Sequence, residues 1–152
     1  MNQFKFLLAC SVILLFVRSN SFADPGLANK YTDDELVEIL IEEGFPSVNK
    51  VKDGIIVIKV EGRSYALLNV RDGDLQMWYQ MSGVNISFET INEWNKTRIF
   101  SKAYLNEKKY PTLENAFLAK GGLNKKHVVA FVRMFLVSSD GFRNFINQQN
   151  ME

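Results

Sequence analysis

His127 is the only imidazole in the chain, and it stands beside Lys125 and Lys126. Imidazole catalysis needs a nucleophile to serve and an acceptor to orient the ring. No such set is legible around His127, so a surface histidine is the plainer reading. Glu42-Glu43, or Glu89 with Glu93, match in residue type the carboxylate pair of glycoside cleavage, in which one group donates a proton while the other stays ionised across a cleft. Nothing in the sequence sets them across a cleft, and solvated helix faces account for them. Asp33 and Asp34 suit the positive end of a helix dipole. One histidine, one cysteine and no Asp-x-Asp-x-Asp-Gly loop assemble neither a zinc nor an EF-hand site. Gly121-Gly122 lacks the Lys and Ser/Thr of a phosphate loop and reads as turn chemistry. The sequence thus offers no catalytic residue, no cofactor and no metal, and a hydrolase using Glu or Asp is the most distant alternative.

Residues that could recognise a partner are more informative. Asn92, Trp94, Asn95 and Arg98 form a polar-aromatic group at the end of a predicted helix. Their structural reading is that Trp94 plugs the sheet, the asparagines hydrogen-bond the adjoining backbone, and Arg98 spans the connection to the next strand. Their functional reading is a patch that meets a partner. Tyr65, Leu67 and Trp78 are expected on a strand face turned away from Leu75 and Met77, where a contiguous apolar patch would mark an interaction surface.

These side chains need elements to hold them. Thr32 with Glu35 three residues on is a capping box, in which each side chain satisfies the other's free N–H. Helix one is predicted to run from there to about Glu43, where Gly44 caps it and Pro46 prevents continuation. The period then becomes strand-like. Val48–Lys52 and Ile55–Glu61 flank Asp53-Gly54, Gly62 marks a turn, and Ser64–Arg71 meets Asp74–Ser82 across Asp72-Gly73, which predicts an antiparallel meander. Ser87 caps a second helix with Ile91 and Trp94 on one face. Ile99–Leu105 and Thr112–Ala119 are expected as a further strand pair, and Asn124 as the cap of a long final helix. Its apolar period, Val128, Phe131, Val132, Phe135, Phe142, Phe145 and Ile146, runs through Gly141 without a break.

The first residues call for separate treatment. Lys5, an apolar run from Phe6 to Val17 and Ser21-Phe22-Ala23 have the form of a secretory signal, residues 1–23, cleaved after Ala23. The run is roughly 12 residues, whereas a permanent membrane helix needs about 20, so no stable membrane anchor is expected. Leu7-Leu8-Ala9-Cys10 resembles the acylation box of bacterial lipoproteins, but Val12–Val17 continue the apolar run beyond Cys10, which favours ordinary cleavage. That cleavage would remove the only cysteine, and with it disulfides and thiolate chemistry. It would also remove Lys5 and Arg18, turning a formal charge of +1 into −1. Neither value is a basic field that would hold nucleic acid. Residues 24–31 read as a leader and 32–149 as one domain, with no linker or repeat to divide it.

Ile91-Asn92-Glu93-Trp94-Asn95, then Arg98-Ile99-Phe100-Ser101-Lys102-Ala103-Tyr104-Leu105, then Gly121-Gly122-Leu123 before the final helix, resemble the YbjN-domain family of bacterial proteins. The resemblance covers about Thr32 to Ile146. It implies a fold like that of type III secretion chaperones, a curved antiparallel sheet with helices packed on it, together with protein binding and dimerisation. Some members carry the label of sensory transduction regulator. An export signal departs from the many cytosolic relatives, and a secretion chaperone holds its clients inside the cell.

The expected architecture is therefore α+β: an antiparallel sheet of about five to six strands, meander plus hairpin, packed by an N-terminal, a middle and a long C-terminal helix. The expected function is a non-enzymatic binding or regulatory module, periplasmic or secreted, that uses a sheet face for a protein or peptide partner or for a homodimer. The alternative is a carrier of a small apolar ligand between helix and sheet.

Overall fold

The computed structural model describes residues 27–149, Asn29 excepted; the expected signal segment and Cys10 lie outside the described residues. The elements are α1 (Asp33–Glu42), β1 (Ser47–Lys52), β2 (Ile55–Val60), β3 (Arg63–Asn69), β4 (Leu75–Gln80), α2 (Phe88–Thr97), β5 (Lys102–Leu105), β6 (Pro111–Phe117) and α3 (Lys125–Gln149). The fold is α+β as the sequence predicts. The strands form one antiparallel sheet in the order β1-β2-β3-β4-β6-β5, so a four-strand meander is extended by a hairpin whose second strand inserts beside β4.

Local chemistry sets these boundaries. The Thr32 N–H donates to Glu35 Oε2 at 2.7 Å and the Glu35 N–H donates to Thr32 Oγ1 at 3.2 Å, the reciprocal cap read from the sequence. The β3–β4 connection turns through Arg71–Gly73, with Asp72 and Gly73 at left-handed φ of 62° and 86°; strand pairing stops at Asn69 with Leu75, so the loop is longer than the two-residue turn expected across Asp72-Gly73. Asn124 Oδ1 accepts from the His127 N–H at 2.9 Å and His127 Nδ1 accepts from the Asn124 N–H at 3.3 Å. The single histidine thus helps to close the start of α3, and its ring stacks on Phe117.

Cross-strand register decides which side chains face the helices. Leu67 pairs with Met77, Tyr79 with Leu113, and Ala103 with Leu113, so these residues share one face with Tyr65, Ile56 and Ile58. All are buried. α3 crosses this face, with Phe135 edge-on to Tyr65 and Phe131 against Phe117, while α1 and α2 flank α3 at the β1 and β5 ends of the sheet. Each fully buried Leu, Ile, Met or Phe side chain here contributes about 1.5–3 kcal/mol by leaving water. α3 runs unbroken through Gly141, as the uninterrupted apolar period predicts.

Two expectations are corrected here. Ile99, Phe100 and Ser101 are not strand; β5 begins at Lys102. β5 pairs only with Pro111–Glu114, and the three preceding residues climb from the end of α2 to reach that register, leaving Ile99 89% exposed. Second, Tyr65 and Leu67 do not lie on the sheet face turned away from Met77 but on the same face as Met77. Register pairs Ala66, not Leu67, with Trp78, so Tyr65 and Leu67 are core residues beneath α3, 2% and 0% exposed.

Candidate functional site

With the described helices gathered on one side, the other face of the sheet is open among the described residues. One cross-strand row on that face reads Asn49, Val57, Ala66, Trp78, Glu114 and Lys102. Trp78 is 40% exposed at its centre, and α3 covers the opposite face. Lys102 pairs with Glu114 at 3.2 Å and lies 5.9 Å from the centre of the Tyr104 ring. Burial, together with the Glu114 carboxylate, pushes the Tyr104 phenol above its ordinary pKa, so it stays a neutral hydroxyl at physiological pH. Of the three residues expected to form the sheet-face patch, Trp78 alone is on the open face.

The α2–β5 junction gathers the other four candidates with different fates. Asn92 is exposed on α2 and makes no side-chain hydrogen bond among the described residues. Asn95 bonds the backbone of Ala103 twice, its Oδ1 accepting from the Ala103 N–H at 2.8 Å and its Nδ2 donating to the Ala103 carbonyl at 3.0 Å. Trp94 is buried in the core cluster. Its ring packs between α2 and α3, 5.1 Å from Phe142 and 5.6 Å from Phe145, because Gly141 leaves room for it: a Cβ there would stand 3.6 Å from the indole edge. Trp94 is 2% exposed, and its buried Nε1 has no hydrogen-bond partner among the described residues. Arg98 follows α2 as its C-terminal cap residue and holds its guanidinium 5.1 Å above the Trp94 ring, close enough for a cation–π contact.

Beside this junction lies a surface the sequence reading missed. Three adjoining hollows of about 580, 420 and 330 Å³ share Phe100 as a common wall. They run between the Arg98–Ser101 connection and the α3 residues Phe131, Met134, Val137 and Gly141. Ile99, Phe100, Met134 and Val137 are 89%, 58%, 45% and 73% exposed. The legible signal was in α3: Phe131-Val132-Arg133-Met134-Phe135-Leu136-Val137 is apolar almost all round, more than a helix buried along one stripe can hide.

The carboxylates that the sequence offers for acid–base chemistry are engaged elsewhere. Glu42 pairs with Lys125 at 3.0 Å, Glu43 with Arg133 at 3.5 Å and Glu93 with Lys96 at 3.2 Å. Glu89 is held below the usual carboxylate range by a hydrogen bond from its own backbone N–H and by Ser87. Asp33 is opposed by partial burial, which would raise it, yet lies below its ordinary pKa because the Gly54 N–H, the Asn69 amide and Lys50 all bond its charged form. Among the described residues no three His, Cys, Asp or Glu side chains converge as a metal site requires, and no helix is long and apolar enough to cross a membrane.

No curated protein matches the chain. A family model does, over residues 32–148, the span that holds every described helix and strand except the last residue of α3. Its description is "Putative bacterial sensory transduction regulator". The chain belongs to the YbjN family.

Proposed function

We propose that the chain is a non-catalytic regulatory module that works after export and binds a protein or peptide across the open face of its sheet. The observation that carries this reading is Trp78, a large aromatic ring left 40% exposed in the middle of the face that none of the described helices covers. Tryptophan at a partly apolar surface is the residue type from which binding hot spots are built. Family membership supports the regulatory role. The engagement of His127 in a helix cap and of Glu42, Glu43 and Glu93 in ion pairs supports the absence of catalysis. Tyr65, Leu67, Met77 and Phe135, each 2% exposed or less, fill the layer between α3 and the sheet, which favours a surface over an enclosed ligand cavity. The export element rests on the sequence of residues 1–23.

The test is a photo-cross-linking amino acid placed at Trp78 and, as control, at Lys126, which is exposed at the start of α3. Cross-links to another protein from position 78 and none from 126 support the reading. Equal products from both positions, or products that contain only a second copy of the chain, overturn it.

A further inference from the structure

We infer that the groove between the Arg98–Ser101 connection and α3 is a second binding surface, and that its occupant is an acidic, apolar peptide segment of a protein partner. It is not the sheet face, and the two surfaces stand or fall separately.

The apolar part comes from the groove's walls. Ile99, Phe100, Met134 and Val137 are large side chains left in water, and they adjoin one another along three continuous hollows. Isolated apolar residues at a surface need no explanation, but a contiguous patch of this kind marks an interaction site. The lining follows α3 from Phe131 to Gly141, roughly 15 Å at the helical rise per residue. That is room for a short peptide segment with two or three apolar anchors.

The acidic part comes from charge. The groove is lined by the cations Arg98, Lys102 and Arg133 against one carboxylate, Glu114. Glu114 is taken up by Lys102 and Arg133 reaches Glu43, whereas Arg98 has no ion pair among the described residues. A guanidinium without an ion pair among the described residues thus stands over the Trp94 ring, with a fork that matches a carboxylate. The near-zero net charge of the whole chain conceals this local excess.

Trp94 adds an independent sign. It is nine-tenths buried beside the 420 Å³ hollow, which it lines, and its indole N–H has no acceptor among the described residues. Buried donors are almost always satisfied. A carboxylate drawn to Arg98 brings an acceptor to that neighbourhood, and Arg98, being exposed, is free to swing from the ring to meet it.

A random twelve-residue peptide display library selected against the full exported chain tests this. The enriched peptides should combine Asp or Glu with Leu, Ile, Phe or Trp. As synthetic peptides they should lose at least tenfold in affinity for Arg98→Glu and for Val137→Asp, and keep their affinity for Trp78→Ala. Both substituted groove side chains are exposed, and circular dichroism should show each variant folded. Should Val137→Asp fail to fold, Arg98→Glu still decides through charge exchange: peptides with Lys in place of Glu should bind this variant better than the unaltered chain. Trp78→Phe leaves Trp94 as the single tryptophan of the two in the sequence, and its fluorescence should change when the peptides bind. Enriched peptides without acidic residues, affinity unmoved by Arg98→Glu, or loss of affinity in Trp78→Ala alone would each overturn the inference. The last outcome would leave the sheet-face reading standing.

Discussion

Asn95 closes its carboxamide on the backbone of Ala103, accepting the N–H at 2.8 Å and donating to the carbonyl at 3.0 Å. Ala103 is in β5, the last strand of the sheet, which has β6 on one side only. The outward N–H and C=O of an edge strand are a template for pairing with another chain. A side chain from α2 here takes the place that a neighbouring strand's backbone would occupy. The helix is thereby tied to the sheet, and the edge is blunted at its middle.

Asn95→Ala should therefore destabilise the fold by about 1–3 kcal/mol, the cost of leaving partly buried backbone groups unpaired. Asn92→Ala, three residues earlier and without such bonds, should stay within about 0.5 kcal/mol of the unaltered chain. Urea denaturation of both variants gives the comparison. In hydrogen exchange the Ala103 amide should lose protection in Asn95→Ala alone. Equal stability of the two variants would remove the role assigned to Asn95.

Register gives a sharper contrast between the two faces of the sheet. Leu67 and Trp78 lie on neighbouring strands, but one is wholly buried and the other 40% exposed. Leu67→Ala should cost about 2–5 kcal/mol, because the layer beneath α3 cannot collapse fully into the space left. Tyr65→Phe removes only the hydroxyl that receives the 3.2 Å bond from Ser139 Oγ, and should cost about 1 kcal/mol. Trp78→Ala should cost less than Leu67→Ala despite the larger side chain removed. Guanidinium unfolding midpoints decide the order.

Asp33 joins the start of α1 to the β1–β2 turn and to the end of β3. Its carboxylate accepts from the Gly54 N–H and from Asn69 Nδ2, both at 2.8 Å, and pairs with Lys50 at 3.3 Å. Its pKa is lower folded than unfolded. Its contribution is therefore complete above the unfolded value of about 4, and is lost as pH falls through the folded value. Stability measured in urea should drop on the acid side of about pH 4, and Asp33→Asn should flatten that drop. Asparagine keeps one acceptor where the native site uses two, so the variant should also lose about 1–3 kcal/mol at neutral pH. A pH profile unchanged by the substitution would show that other groups set the acid limb.

The proposal that the chain is exported has its own measurement. The intact mass of protein recovered from outside the cytoplasm should correspond to a chain starting at Asp24, and Cys10→Ser should leave both the mass and the yield unchanged. A mass carrying acyl groups and starting at Cys10 would establish lipidation instead.

The sequence disclosed the elements better than it disclosed their faces. Capping residues, turn glycines and alternating strands depend on neighbours a few residues apart, and Thr32 with Glu35, Asp72 with Gly73 and Asn124 as the cap of α3 are all readable on that scale, whereas the return bond from His127 to Asn124 is not. Which strand residue faces which depends on register across a turn. A shift of one residue in pairing β3 with β4 exchanges every side chain between core and solvent, and this is how Tyr65 and Leu67 came to be expected beside Trp78. The groove was hidden for a related reason. Ile99 and Phe100 read as strand because they precede a true strand, and only the four-residue length of β5 releases them to the surface. Trp94 was legible as a structural residue, but its partners Phe142 and Phe145 are more than 45 positions away.

Gly141 offers the most economical check on that packing. Glycine inside a helix is less favourable than alanine by about 0.8–1.0 kcal/mol, and α3 carries this one without interruption. The indole edge of Trp94 would stand 3.6 Å from an added Cβ, an ordinary van der Waals distance, so one methyl group fits where a larger side chain does not. Gly141→Ala should accordingly stabilise the chain by about 0.5–1 kcal/mol, while Gly141→Leu should displace the indole and destabilise it. The two substitutions differ little in helix propensity, so the opposite sign isolates the contact with Trp94. Thermal melting with near-ultraviolet circular dichroism, which follows the tryptophan environment, reads both effects. Stabilisation by alanine and leucine alike would mean that Trp94 does not rest against this position.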